Sequence, residues 1–193
     1  MGRHSEDMSQ RAEQLAQRFL AHELPTRWAH TCGVIREVKS LSAHLPEEQR
    51  ETLATAAALH DIGYARPLAL TGFHPIDGAR YCALTGFPAS VVGLVAHHTG
   101  ARYEAEERKL GKLHSEYPVP PADLLAVLSC ADLSTSPLGD PVEPEARIQE
   151  VLRRYTNSDP VHRAIQRSKA ELLASARQIR RGNAGLVAME NAS

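Results

Sequence analysis

The sequence lacks the features that would tie it to a secretory route, a membrane or a polyanion. Only three cysteines occur in 193 residues, Cys32, Cys82 and Cys130, an odd number without metal-ligand spacing. They read as buried free thiols of a cytosolic protein, not as a disulfide frame. No apolar run approaches the roughly 20 residues that a spanning helix needs. The opening residues, MGRHSEDMSQ, lack the apolar stretch of a secretory signal. Charge of one sign is missing as well: 22 Lys and Arg face 23 Asp and Glu, a formal net charge of -1. That balance removes any global electrostatic case for nucleic acid or an anionic membrane as partner. There is no alternating pattern long enough for a sheet, no internal repeat, no coiled-coil heptad and no low-complexity segment.

What is present is an amphipathic helical pattern in a chain that is 42% hydrophobic, with a mean hydropathy of -0.33. Length and composition together predict one cytoplasmic domain over residues 1–182, and the stretch from Gly182 onward reads as a loose C-terminal tail over 183–193. A chain of this size buries about 70% of its unfolded surface, so it needs no staples. Apolar residues at Met8, Ala12, Leu15, Ala16, Phe19 and Leu20 repeat every three or four positions. Pro25 is expected to stop that helix and Thr26 to cap the next, which carries Trp28, Val34, Ile35, Val38 and Leu41. Pro46, Glu47 and Glu48 suit a positive helix N-terminus. Further helices are expected from Pro75, Pro88 and Pro121, and two more follow Pro144. Residues 101–120 read as a helix followed by a loop. The fold class is therefore all-α, a helical bundle of roughly seven to nine helices.

The polar residues on these apolar stripes carry the chemistry. His30 precedes Val34 by four and Val38 by eight; His60 follows Ala57 by three and Leu53 by seven. His98 follows Val95, Leu94 and Val91 by three, four and seven; Asp132 follows Leu128 and Leu125 by four and seven. A lone histidine on such a stripe is most often a hydrogen-bonded core residue, and a lone aspartate near a helix end is usually a cap. Four such residues on four helices, with Asp61 directly after His60, point instead to a metal site. An unpaired buried carboxylate costs several kcal/mol, and imidazole with carboxylate suits Zn, Mn or Fe.

The order His30, His60-Asp61, Asp132 resembles the H…HD…D signature of the HD-domain superfamily of metal-dependent phosphohydrolases. The strings RWAHTCGV (27–34), ALHDIGY (58–64), FHPIDGARY (73–81), VAHHTGARY (95–103) and SCADLSTS (129–136) carry the resemblance over residues 26–136. It implies an HD-domain-like bundle and a first metal held by His30, His60, Asp61 and Asp132. A second metal would be bridged by Asp61 and held by His74 and one of His97 and His98. Helical phase favours His98, because His97 points about 100° away from the Val91, Leu94, Val95 face. One or two divalent ions such as Fe, Mn or Zn are thus implied as cofactors.

The implied activity is hydrolysis of a small phosphorylated substrate, a nucleotide foremost, by metal-activated water that Asp61 or Asp132 orients. Arg27, Arg66 and Arg102 are the candidate substrate-binding cations. Arg80, Lys109 and Lys112 are further cations nearby in sequence, and Thr99 either bonds substrate or caps a helix. Tyr64, also assigned to substrate, stands where many relatives carry the Lys of HDIGK, and a phenol brings no charge at pH 7. The chain lacks the HHE-x-x-DG-x-GYP string of cyclic-dinucleotide phosphodiesterases and the acidic pair of guanosine tetraphosphate hydrolases. Its HHTG string resembles the HTxG of symmetrical diadenosine tetraphosphate hydrolases. Two alternatives stay open, a di-iron oxygenase of the same fold and a non-catalytic metal- and nucleotide-binding sensor. The last helices, with Arg180 and Arg181, offer a surface for a homodimer.

Overall fold

The computed structural model describes residues 3–190. Among them are nine helices of about two turns or more: α1 (Arg3–Leu20), α2 (Pro25–Leu41), α3 (Glu47–Leu59), α4 (His74–Leu84), α5 (Ala89–His97), α6 (Ala101–Glu107), α8 (Ala122–Leu133), α9 (Pro144–Arg154) and α10 (Pro160–Glu190). A single helical turn, α7 (Leu113–Glu116), separates α6 from α8. No strand forms among the described residues, and Thr135 and Pro141 make one isolated bridge. The architecture is all-α, as the periodicity predicts. No helix among the described residues is long and apolar enough to cross a membrane.

Proline and glycine set most boundaries. Pro25 opens α2 as its first residue, where the missing N–H costs nothing. Thr26 therefore lies inside the first turn, and no side chain caps the preceding Leu24, contrary to the sequence expectation. The last helix also departs from expectation, since α10 continues past Gly182 to Glu190 and residues 183–190 are helical. That stretch contains no proline, and glycine costs a helix only about 1 kcal/mol. Residues 191–193 lie outside the described ones. Cys82 and Cys130 are buried free thiols, whereas Cys32 is half-buried. Arg180 of α10 pairs with Glu143 at 2.6 Å.

α3 is the central element. Every residue from Leu53 to Leu59 is buried, in contact with α1, α2, α5 and α8. The alanines at 54 and 56–58 let these helices close in without steric conflict. Around them Val34, Val38, Leu53, Leu59, Ile62, Leu94 and Leu128 form a continuous apolar core. Burying one such side chain contributes about 1.5–3 kcal/mol, so the core can support polar groups held in its midst.

Two close backbone approaches position the site. A Cβ on Gly63 would overlap the His74 carbonyl and stand 2.6 Å from the Gly78 nitrogen. The turn after the HD pair can therefore rest directly on the first turn of α4. A Cβ on Gly33 would stand 2.6 Å from the Gly139 carbonyl, and Gly139 itself has φ of +85°. Glycine at both positions brings α2 against the 134–143 segment.

Candidate metal centre

Each cluster residue is delivered by the end of an element or by a turn just beyond one. His30 sits in α2; His60 and Asp61 follow the end of α3; His74 opens α4; His98 follows α5; Asp132 lies in the last turn of α8. Ligand atoms of His30, His60 and Asp132 lie within 4.8 Å of one another, and so do those of Asp61, His74 and His98. The structure thus brings together all six residues singled out from the sequence. His98 is buried and faces the cluster, although α5 ends one residue before it. Its neighbour His97 points elsewhere, with Nε2 3.5 Å from the Tyr117 carbonyl.

Asp61 stands between the two trios. Its Oδ2 is 3.4 Å from His60 Nε2 and 3.9 Å from His30 Nε2, while its Oδ1 is 3.4 Å from His74 Nε2. His30 Nε2 lies 3.0 Å from Asp132 Oδ1, and His74 Nε2 lies 3.2 Å from His98 Nε2. Backbone carbonyls set the orientation of three rings. Nδ1 of His30 faces Ser136 O at 3.0 Å, that of His60 faces Ala57 O at 2.7 Å, and that of His98 faces Val95 O at 2.8 Å. A ring that donates from Nδ1 turns the Nε2 lone pair inward, as metal-ligating histidines do.

The donor chemistry fits a cation. His60 Nε2 is fully buried without any hydrogen-bond partner, and an orphaned buried nitrogen costs free energy unless something binds it. Two imidazole nitrogens, His74 Nε2 and His98 Nε2, also face each other closely. Four imidazoles and two carboxylates suit divalent transition metals.

Electrostatics sharpen the same picture. Burial alone would raise the Asp61 carboxyl, yet Arg27 and His60 outweigh it and hold the group well below the usual range. Asp132 is likewise held low against burial by His30 and His60. Burial pushes His60 down, but Asp61 and then Asp132 prevail and lift it to about 9. Burial dominates at His74 and His98, and both are lowered. Both carboxylates are therefore ionised at neutral pH.

The substrate candidates divide. Arg27 reaches the site, donating from Nη1 to Asp61 Oδ2 at 2.7 Å with its guanidinium over the Tyr64 ring. Tyr64 stacks on His74 with ring centroids 4.0 Å apart. Arg66 is exposed and does not line the cleft over the cluster. Arg102 turns outward to Glu171 and Tyr103, because α6 presents it toward α10. Arg80 pairs with Asp77 at 3.7 Å, and Lys112 lines a different cavity, beside His97 and Arg102. Thr99 takes a third course: its hydroxyl donates to Asp132 Oδ2, and its φ of 43° turns the chain there.

Sequence reasoning missed Arg147 and Arg154 of α9, which line the cleft together with Asp61, His74, His98 and Asp132. The signal was present, since Arg147, Val151 and Arg154 fall at i, i+4 and i+7 beside the apolar stripe of Ile148 and Tyr155.

Compared with known proteins, residues 27–136 match the HD domain family. No curated protein and no solved structure matches the chain. HD domains bind divalent metals and are a superfamily of metal-dependent phosphohydrolases. All six cluster residues fall inside the matched span, which covers more than half of the sequence, and the chain belongs to the HD domain family.

Proposed function

We propose that this protein hydrolyses a small phosphorylated substrate, a nucleotide foremost, at a centre of two divalent transition-metal ions. The position of Asp61 is the observation that supports this best, because one carboxylate presents an oxygen to each trio. His30, His60 and Asp132 would hold one ion and His74 and His98 the other, with Asp61 reaching both. Metals at such a centre supply Lewis acidity toward phosphoryl oxygens and acidify water.

The chain's own residues supply the rest. Carbonyls of Ala57, Val95 and Ser136 fix the rings of His60, His98 and His30, so little reorganisation is needed. Asp132 is fixed through Oδ2 by the Thr99 hydroxyl, while its Oδ1 faces the cluster beside His30, an arrangement that suits it to orient a water. Asp61, kept ionised by Arg27, is the second candidate for that role. Guanidiniums on the cleft wall offset the charge of a phosphoryl group.

Elemental analysis of freshly purified protein, paired with a phosphatase screen over nucleotides under Zn and Mn without oxygen, tests the proposal. Retained transition metal and phosphate release, both lost in Asp61→Ala, are expected. Iron with an O2-dependent spectrum and no phosphate release would replace this reading with the oxygenase. Tight nucleotide binding without turnover across several metals would replace it with the sensor.

A further inference from the structure

α9 lies beyond the residues that match the HD family, yet it forms a wall of the cleft. Arg147 is only 8% exposed, and arginine is rarely buried so far without a partner. Its partner is Glu150, which accepts from Arg147 Nη1 on Oε2 and from Arg154 Nε and Nη2 on Oε1. Two guanidiniums on one carboxylate leave a positive charge in excess. Their remaining nitrogens form no hydrogen bond among the described residues. Arg27 has a similar surplus, with only Nη1 engaged by Asp61.

These three arginines line two adjoining spaces. The inner, about 110 Å³, also meets Asp61, His74, His98 and Asp132. The outer, about 450 Å³, is bounded further by Glu23, Leu24, Pro25, Thr26, His30 and Pro137. The outer volume falls within the range of small-molecule sites, about 300–1,000 Å³. Any molecule that placed one end at the metal cluster and the remainder in the outer space would pass between Arg27, Arg147 and Arg154. Guanidinium forks of this kind favour phosphate oxygens.

We infer that Arg147 and Arg154, with Arg27, form a subsite for a second anionic group adjoining the scissile phosphate, and that the preferred substrate is a phosphoanhydride. This rests on the hydrolase reading above for which bond is cut. In that hydrolysis the oxygen of water bonds to the terminal phosphorus and the bridging P–O bond breaks. The bridging oxygen leaves with its electron pair on the departing phosphate, which faces the arginines. One water proton stays on the inorganic phosphate formed and the other is released to the medium.

Calorimetric titration with methylenediphosphonate and with methylphosphonate, metal content being measured before and after, tests the subsite. Wild-type protein should bind the diphosphonate at least about tenfold more tightly, the scale of one charge-assisted hydrogen bond. Arg154→Gln should abolish that preference with metal content unchanged, and Arg153→Ala, on the exposed side of α9, should leave it intact. Arg147→Gln should act like Arg154→Gln; should the buried position prevent folding, Arg154→Gln carries the test alone. Equal binding of the two probes by wild type, or a preference that survives Arg154→Gln, would overturn the inference. An Arg154-dependent preference in a protein that hydrolyses nothing would sustain the subsite and sink the hydrolase. Turnover with the same KM ratio of phosphomonoester to phosphoanhydride in wild type and Arg154→Gln would do the reverse.

Discussion

Arg27 Nη1 donates to Asp61 Oδ2 across 2.7 Å, and this contact joins the first turns of α2 to the HD turn after α3. The side chain of Asp61 is only 4% exposed, so its charge depends on such neighbours. Replacing Arg27 with Ala leaves a buried carboxylate short of its strongest partner. The expected cost in chelated protein is about 1–3 kcal/mol, below the roughly 3–5 for a fully broken buried pair, because His60 and His74 remain nearby. Added Mn or Zn should recover much of that loss. Thermal denaturation with and without chelator checks both expectations.

A second prediction concerns the hydroxyl of Thr99, which donates to Asp132 Oδ2. Thr99→Val keeps the shape and removes the donor, with an expected cost of about 1.5–3 kcal/mol for a hydrogen bond to a charged group. Thr99→Ser should keep most of the stability. Comparing urea midpoints of the two variants separates the hydrogen bond from the backbone turn.

The histidine pair offers a third. His98→Ala should lower the metal content of purified protein, whereas His97→Ala should lower it little, since only His98 faces Asp61 and His74. Metal stoichiometry measured on both variants decides the matter. Equal losses would contradict the assignment.

The pH dependence of chelated protein follows from the signs of the shifts. Asp61 and Asp132 are held below their ordinary 3.8, so the stability they contribute is present above that value and is lost as the pH falls toward their folded values. His60 is raised from 6.5 to about 9; its contribution is complete below 6.5 and lost as the pH rises through 9. His74 and His98 are lowered and act oppositely, withholding stability below 6.5. Compared with wild type, His60→Gln should therefore lack a loss of stability between pH 6.5 and 9. Melting temperatures of both proteins across pH 5 to 10 test this.

The sequence makes the helical plan legible because proline, glycine and three-and-four apolar spacing punctuate it locally. The six cluster residues are legible for a related reason. Each is a polar side chain on an apolar stripe or inside a short string, and burial forces such groups to meet. The arginines of the cleft are less legible, because closeness in sequence to the cluster residues is not closeness in space. Arg102 follows His98 by four residues, yet the left-handed turn at Thr99 and Gly100 starts a new helix that aims it at Glu171. Arg147 and Arg154 lie beyond the last string, outside every motif, and the fold brings α9 to the cleft. α10 runs past Gly182 to Glu190 because glycine weakens a helix without ending it.

The most direct measurement is anomalous diffraction at the manganese edge from crystals grown with Mn. Two peaks are expected, one among His30, His60 and Asp132, the other beside His74 and His98, with Asp61 between them. No peak at this cluster, or manganese bound only elsewhere on the protein, would contradict the account.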